Sequence, residues 1–303
     1  MGAGVHGEPG MNDPLFSIVV PVHNRAGYLR QAVDSALAQE FDSFEVLVVD
    51  DGSTDGGADA IEALGDGRVR VRRLSRGGAP AARNAGVEMS RGRFIVWLDS
   101  DDYLEPGVLE AYAAALCECP KAEVIYGRII LANMELEPVR TIEFEDWHRR
   151  NRELLTTLLF RCPLPHPGTA VAKACYERVG GYDPRFRRAH DYEFWSRLAL
   201  RAVFKYVRRP VCRWRWHDAN MSAGSVNIDT SYELEVLKGI LNSYGYDKLF
   251  GHDKRCEKIP KLVRRLRDLG DFGLAAEIET SFMTKDSMKT MGNACIGSRN
   301  EGE

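Results

Sequence analysis

Three short polar clusters in the first third of the chain carry residue types able to do chemistry. They are Pro21, Val22, His23 and Asn24; Asp50, Asp51, Gly52 and Ser53; and Asp99, Ser100, Asp101 and Asp102. The last is the most demanding, because three carboxylates among four residues repel one another, and a chain that keeps them together usually has a cation there to offset the repulsion. Asp99 and Asp101, two apart at the end of an extended segment, point to the same side. Oxygen ligands suit Mg²⁺ or Mn²⁺, and a site with few protein ligands suits an ion shared with substrate phosphates. Aspartate is also favoured in turns and at helix starts, which accounts for Asp102 easily and for the whole triplet poorly.

Each cluster follows a short apolar run. FSIVVPV (16–22), FEVLVVD (44–50), VRVRRLS (69–75) and RFIVWLD (93–99) read as strands. Between them, 28–39, 55–64 and 79–89 carry apolar residues at helical spacing, as in Leu29, Ala32, Val33, Ala36 and Leu37. This alternation predicts a mostly parallel α/β sheet flanked by helices, a fold that binds ligands at the carboxyl ends of its strands. Further along, the pattern predicts a helix from about 106 to 119, a strand over 123–131, a helix over 192–202 and short strands over 205–207 and 211–216. The stretch 140–170 holds the polar run DWHRRNREL and then CPLPHPG, whose prolines preclude regular structure locally, so it reads as a mobile loop. Beyond about 226 the pattern is helical. The basic amphipathic segment 258–270 reads either as a peripheral membrane-surface or partner-docking helix or as a packed tail helix.

A chain of 303 residues with 44% hydrophobic content buries one large core, with room for an appendage. The net charge of -3 gives no overall electrostatic case for nucleic acid as a partner. Seven cysteines, odd in number and scattered, point to a reducing, cytoplasmic compartment rather than a disulfide framework. The Gly/Pro-rich residues 1–14 read as a disordered lead-in without a signal-peptide pattern. No apolar run approaches the ~18 residues needed to span a bilayer.

Taken together, FSIVVPVHN, VLVVDDGSTD, AARNAG and FIVWLDSDD resemble, in order and spacing, the successive motifs of the family 2 inverting glycosyltransferases, which have the type A nucleotide-sugar fold. The resemblance is close over roughly 16–107 and looser to about 220. It implies a glycosyltransferase domain over 15–225, with a nucleotide-binding half (15–105) and an acceptor and catalytic half (106–225), followed by a helical extension over 226–303. It implies a nucleotide-sugar donor, UDP being the commonest in the family, with Pro21, Val22, His23, Asn24, Asp51, Arg83, Asn84, Asp99, Ser100 and Asp101 lining its site. In this scheme Pro21 lies beside the base, Asp51 accepts hydrogen bonds from it, and Asp101 holds a Mn²⁺ or Mg²⁺ cofactor that bridges the diphosphate, with Asp99 and His217 nearby.

The resemblance also places a general base at the start of a helix after a Gly-rich stretch, where this chain has GGYDPRFRRAHDYEFWSRL. Asp191 stands at that position and His190 where a Glu is usual. A helix N-terminus would hold Asp191 ionised, ready to take a proton; Asp183 in the YDP turn is the rival carboxylate and reads as a turn former. In RWRWHD, alternation along a strand lets Arg213 and Arg215 face phosphates while Trp214 and Trp216 pack away, or the reverse. The implied reaction is a single displacement onto a hydroxyl of a glycan, lipid-linked or protein acceptor. Its rivals are an inactive nucleotide-sugar-binding module and a sugar nucleotidyltransferase. A dinucleotide oxidoreductase is disfavoured, because the first strand runs into PVHNRAG without a GxGxxG turn.

Overall fold

The computed structural model describes residues 13–217, 230–250 and 254–283. Strands β1 (Phe16–Val22) and β2 (Phe44–Asp50) are rich in Val and Ile and buried nearly throughout, as befits strands covered on both faces. They pair in parallel with Phe16 opposite Phe44 and Val22 opposite Asp50, so their polar ends are level. β3 (Val69–Arg73) extends the sheet past β2, and β4 (Phe94–Trp97) flanks β1, both in parallel. The crossovers are α1 (Ala26–Leu37), α2 (Gly57–Glu62) and α3 (Ala79–Met89). Helix α3 lies so near β1 that a Cβ on Gly86 would stand 2.4 Å from Cγ1 of Val19.

After β4 come β5 (Tyr103–Leu104), α4 (Val108–Glu118), β6 (Val124–Ala132), β7 (Pro138–Ile142), α5 (Asn151–Thr157), β8 (Ala170–Ala172), α6 (Lys173–Val179), α7 (His190–Leu198) and β9 (Phe204–Arg215). The sheet order is β3-β2-β1-β4-β8-β6-β9-β5, with β7 on β6. Beyond β4 the sheet is mixed: β8 runs antiparallel to β4 and β6, while β9 is parallel to β6 and antiparallel to β5.

Three sequence expectations change here. The pair of short strands expected at 205–207 and 211–216 is one strand, β9. Pro210, which cannot donate to a ladder, is accommodated where the β6–β9 register shifts around Arg128. The stretch 140–170, expected to be a loop, contains α5; its proline segment has no regular structure, as expected, yet Pro163, Leu164, Pro165, His166, Gly168 and Thr169 are buried. Helix α7 also starts at His190, two residues earlier than its pattern implied, which puts Asp191 in its first turn.

The chain divides into two compact units, the second made of 155–161 and the segment after 229. There α8 (Ser231–Tyr244), α9 (Tyr246–Leu249), α10 (Arg255–Asp268) and a helical stretch over 272–283 follow one another. In α10, Ile259, Leu262, Val263 and Leu266 are buried, so its apolar stripe is not an open membrane-facing surface. Its cations pair with protein carboxylates, Arg265 with Glu233 at 2.9 Å and Arg267 with Glu279 at 2.6 Å. No helix among the described residues is long and apolar enough to cross a membrane. The lead-in expected over 1–14 falls outside the described residues, apart from Asp13 and Pro14.

The register shift is tightly built: a Cβ on Gly127 would stand 2.7 Å from the Arg209 carbonyl oxygen and 2.6 Å from Cγ1 of Val211. Gly127→Ala is therefore expected to destabilise the fold by about 1–3 kcal/mol, the usual cost of overpacking. Urea unfolding measures this, and an unshifted midpoint would contradict it.

Candidate active site

One cleft opens at the carboxyl ends of β1, β2 and β4. It is lined by Pro21, Val22 and His23, by Asp51, and by Asp99, Ser100 and Asp101, with Arg83 on its α3 side and Trp214 of β9 also present. His23 Nδ1 donates to the Asp51 carbonyl at 2.9 Å, which joins the ends of the first two strands. Asn24 does not line the cleft. It takes up a positive φ of 51°, which Asn tolerates better than most residues, accepts from the Thr54 N–H at 2.9 Å and donates its own N–H to Ser53 Oγ at 2.9 Å. It therefore staples the loop after β1 to the loop after β2. The Asp51 carboxylate accepts the N–H groups of Gly77 and Gly78 at 2.6 and 2.8 Å, fixing the glycine pair that leads into α3.

The three carboxylates after β4 part company. Asp99 Oδ1 accepts from Arg83 Nη2 at 2.6 Å; this guanidinium is almost wholly buried, stands 5.8 Å over the Trp97 ring, and leaves Nε and Nη1 without a protein partner. Asp101 faces the cleft, with its Oδ2 3.1 Å from His217 Nε2 and 3.9 Å from Arg25 Nη2. His217 is itself stacked on Tyr28, rings 5.5 Å apart and 8° from parallel. Asp102 is buried and turned inward, accepting the Arg215 backbone N–H at 3.0 Å. Burial, added to repulsion from Asp99 and Asp101, holds the Asp102 carboxyl well above the usual carboxylate range. Asp99 is also raised, by burial first and by Asp101 and Asp191, against the pull of Arg83. Among the described residues no three His, Cys, Asp or Glu side chains gather closely enough to hold a metal by themselves.

The arginines of β9 serve the protein. Arg215 Nε donates to the Asp101 carbonyl at 2.7 Å and Nη2 to Gln31 Oε1 at 2.6 Å, while its guanidinium stands 4.8 Å over Tyr28. Arg213 binds Glu105 at 2.5 Å and the Leu136 carbonyl at 2.9 Å. The alternation along β9 thus resolves as the second of the two arrangements, with Trp214 toward the cleft and Trp216 at the surface.

Asp191 lies in the first turn of α7 and shares the electrostatic environment of Asp99 and Arg83. Its carboxyl is raised above the ordinary range: burial outweighs the Tyr192 N–H and Arg83, which act the other way. This desolvation opposes the ease of ionisation expected from a helix N-terminus. His190 is buried between His166 and Tyr182, ring centroids 6.0 and 5.8 Å away, and burial with Arg83 nearby keeps it neutral. Asp183 accepts from the Arg185 N–H at 2.9 Å and pairs with its guanidinium, as a turn former does. Asn84 is spent elsewhere: both ends of its amide bind the Tyr182 backbone.

Sequence reasoning missed Arg25, Ala79 and Ala82 as cleft-lining residues and Arg215 as the brace beneath the carboxylates. The GGAP helix start was a readable signal for the alanines, because a chain entering a helix over two glycines brings small residues close to whatever the preceding loop encloses. Nothing local marks Arg215, whose partners are remote in sequence.

The family model described as Glycosyl transferase family 2 matches residues 17–178, more than half of the chain. The chain is 29% identical over 250 residues to a chondroitin synthase of Pasteurella multocida (strain Pm70), covering 80% of this chain and 25% of that protein. It is 30% identical over 236 residues to a hyaluronan synthase of Pasteurella multocida, covering 77% and 24%. It thus spans about a quarter of the length of these two relatives. An uncharacterized glycosyltransferase of Rickettsia typhi is 27% identical, covering 73% of this chain and 70% of that protein. Among solved structures, S. aureus TarS 1-349 superposes with a TM-score of 0.59 at 22% identity, covering 85% of this chain and 72% of that one. The same region in complex with UDP-GlcNAc gives 0.58 at 21%, covering 84% and 80%. The fold is the type A nucleotide-sugar fold, and the chain belongs to glycosyl transferase family 2.

Proposed function

We propose that the protein transfers a sugar from a UDP-sugar to a hydroxyl of a glycan, in one inverting displacement assisted by Mn²⁺ or Mg²⁺. The observation that carries this reading is the meeting of the Asp101–His217 pair with Pro21 and Asp51 on one side and the Asp99–Arg83–Asp191 group on the other. The donor and acceptor classes draw support from relatives named chondroitin synthase and hyaluronan synthase, and from the likeness to TarS 1-349 solved with UDP-GlcNAc and with UDP.

A carboxylate oxygen and an imidazole nitrogen 3.1 Å apart, beside carboxylates that repel one another, are donors that would suit a divalent ion. Held by Asp101 and His217, with Asp99 adjacent, such an ion supplies charge neutralisation for the leaving group. Arg83, with two donors to spare, adds positive charge at the same edge. Asp191 takes the proton of the acceptor hydroxyl. The freed oxygen bonds to the anomeric carbon from the face opposite the diphosphate; the bond from that carbon to the phosphate oxygen breaks, and its electron pair departs on UDP. No covalent intermediate forms, so the configuration inverts.

A thermal-shift panel of UDP-, GDP-, dTDP- and CDP-sugars with Mn²⁺ tests the donor class; stabilisation is expected with UDP-sugars, and a preference for another base would replace that assignment. Asp101→Ala is expected to abolish the Mn²⁺-dependent part of UDP affinity in calorimetry, whereas Asp102→Asn, which alters an inward-facing carboxyl, should preserve it. Equal losses in both variants would argue against an ion on Asp101. Asp191→Asn should remove sugar transfer, by at least ~100-fold, while leaving UDP binding intact. Because burial raises the Asp191 carboxyl, it stays protonated, and useless as a base, to a higher pH than a free aspartate. The acid limb of kcat is therefore expected above the ordinary aspartate value of about 4. A limb at or below that value would speak against Asp191 as the base.

A further inference from the structure

Asn84 and Arg83 are neighbours on α3, yet they do different work. Arg83 lines the cleft and holds Asp99. Asn84 reaches 98 residues along the chain, accepting the Tyr182 N–H on Oδ1 at 2.7 Å and donating from Nδ2 to the Tyr182 carbonyl at 2.8 Å. A side-chain amide matched in both directions to one residue's backbone fixes that residue in distance and rotation together. The fit is close: a Cβ on Gly181 would lie 2.4 Å from Asn84 Oδ1, so only glycine fits at that position with the clamp in place.

The turn so fixed is also the anchor of α7. Arg197, near the end of that helix, donates to the carbonyls of Val179, Gly180 and Gly181 at 2.5, 3.1 and 2.8 Å, and is held in place by Glu193 at 2.6 Å. Tyr182 adds a second tie. Its ring packs edge-on against Trp97, 5.4 Å away, and against His190, 5.8 Å away, and its hydroxyl bonds His166 Nε2 at 2.9 Å. A continuous path therefore runs from α3 through Asn84 to the 179–182 turn, and from that turn through Arg197 and Tyr182 to the helix that bears Asp191.

We propose that Asn84 is a positioning residue, the joint that sets Asp191 in place relative to the donor cleft; this rests on the reading of Asp191 as the general base. The residue does not touch the reacting atoms. It acts by holding the base-bearing helix in reach of a donor cleft built mainly from α3 and the carboxyl ends of β1, β2 and β4. A shift of about 1 Å in a catalytic group is enough to cost on the order of 100-fold in rate.

The test separates kcat from donor binding. Asn84→Ala is expected to lower kcat roughly 10- to 100-fold while the donor KM and the UDP affinity stay within about threefold of the parent. Asn84→Asp, which keeps the oxygen for the Tyr182 N–H but sets a second oxygen against the Tyr182 carbonyl, should fall at least as far. If Asn84→Ala does not fold, Gly181→Ala strains the same joint from the other side and should show the same kcat-selective loss. A raised donor KM with unchanged kcat would make Asn84 a pocket residue and overturn the proposal, as would unchanged kinetics or a kcat loss that merely tracks the unfolded fraction. Asp191→Asn, assayed in parallel, distinguishes the two ideas: turnover retained there removes the base assignment itself. An inactive Asp191→Asn beside a fully active Asn84→Ala overturns the joint alone.

Discussion

Three carboxylates crowded at the end of one buried strand are an electrostatic liability, and the surrounding structure is arranged to hold them apart. Asp99 is met by a nearly buried guanidinium from α3, Asp101 by an imidazole and a more distant arginine, and Asp102 by the backbone of β9. The compensation is incomplete, for burial and mutual repulsion still push Asp99 and Asp102 upward. That residual negative potential, concentrated at the mouth of a cleft, is the electrostatic ground for the divalent ion proposed there.

Satisfying this constraint fixes much of the architecture. The arginine and histidine that brace the Asp99–Asp102 loop lie more than a hundred residues further along the chain, so β9 must return to that loop, pairing with β5 on one side and β6 on the other. The parallel strands β2, β1 and β4 present the cleft, as an α/β sheet does at its carboxyl ends. The antiparallel strands beyond them bring in what the parallel half lacks: a brace from β9 and, from the loops between β8 and β9, the helix that carries Asp191.

The parallel half was legible because its signals are local. Hydrophobic runs bounded by Asp, Pro and Gly gave β1 and β2 residue for residue, and helical spacing gave α3. The cleft-lining set of Pro21, Val22, His23, Asp51, Arg83, Asp99, Ser100 and Asp101 followed from strand ends and motif order. What escaped depends on tertiary partners. Asn24 and Asn84 carry the right chemistry for a binding pocket, but their amides are committed to backbone groups that no local pattern discloses. The proline-rich stretch before β8 read as a loop because prolines forbid ladders, but nothing local disclosed that its apolar rings and His166 are packed inside. For Asp191, the visible helix start argued for easy ionisation, while burial, invisible in sequence, pushes its carboxyl upward.

The irregular pairing of β6 with β9 has a consequence for how this segment can vary. While β6 advances two residues, from Gly127 to Ile129, β9 advances five, from Val207 to Cys212. The surplus is odd, and side chains on a strand alternate, so the surplus decides which set faces which way. Deleting a single residue there would reverse the parity of everything downstream, turning Trp214 from the cleft and pulling Arg213 and Arg215 from Glu105 and Gln31. A change of two residues would keep that parity, and a change of one would not.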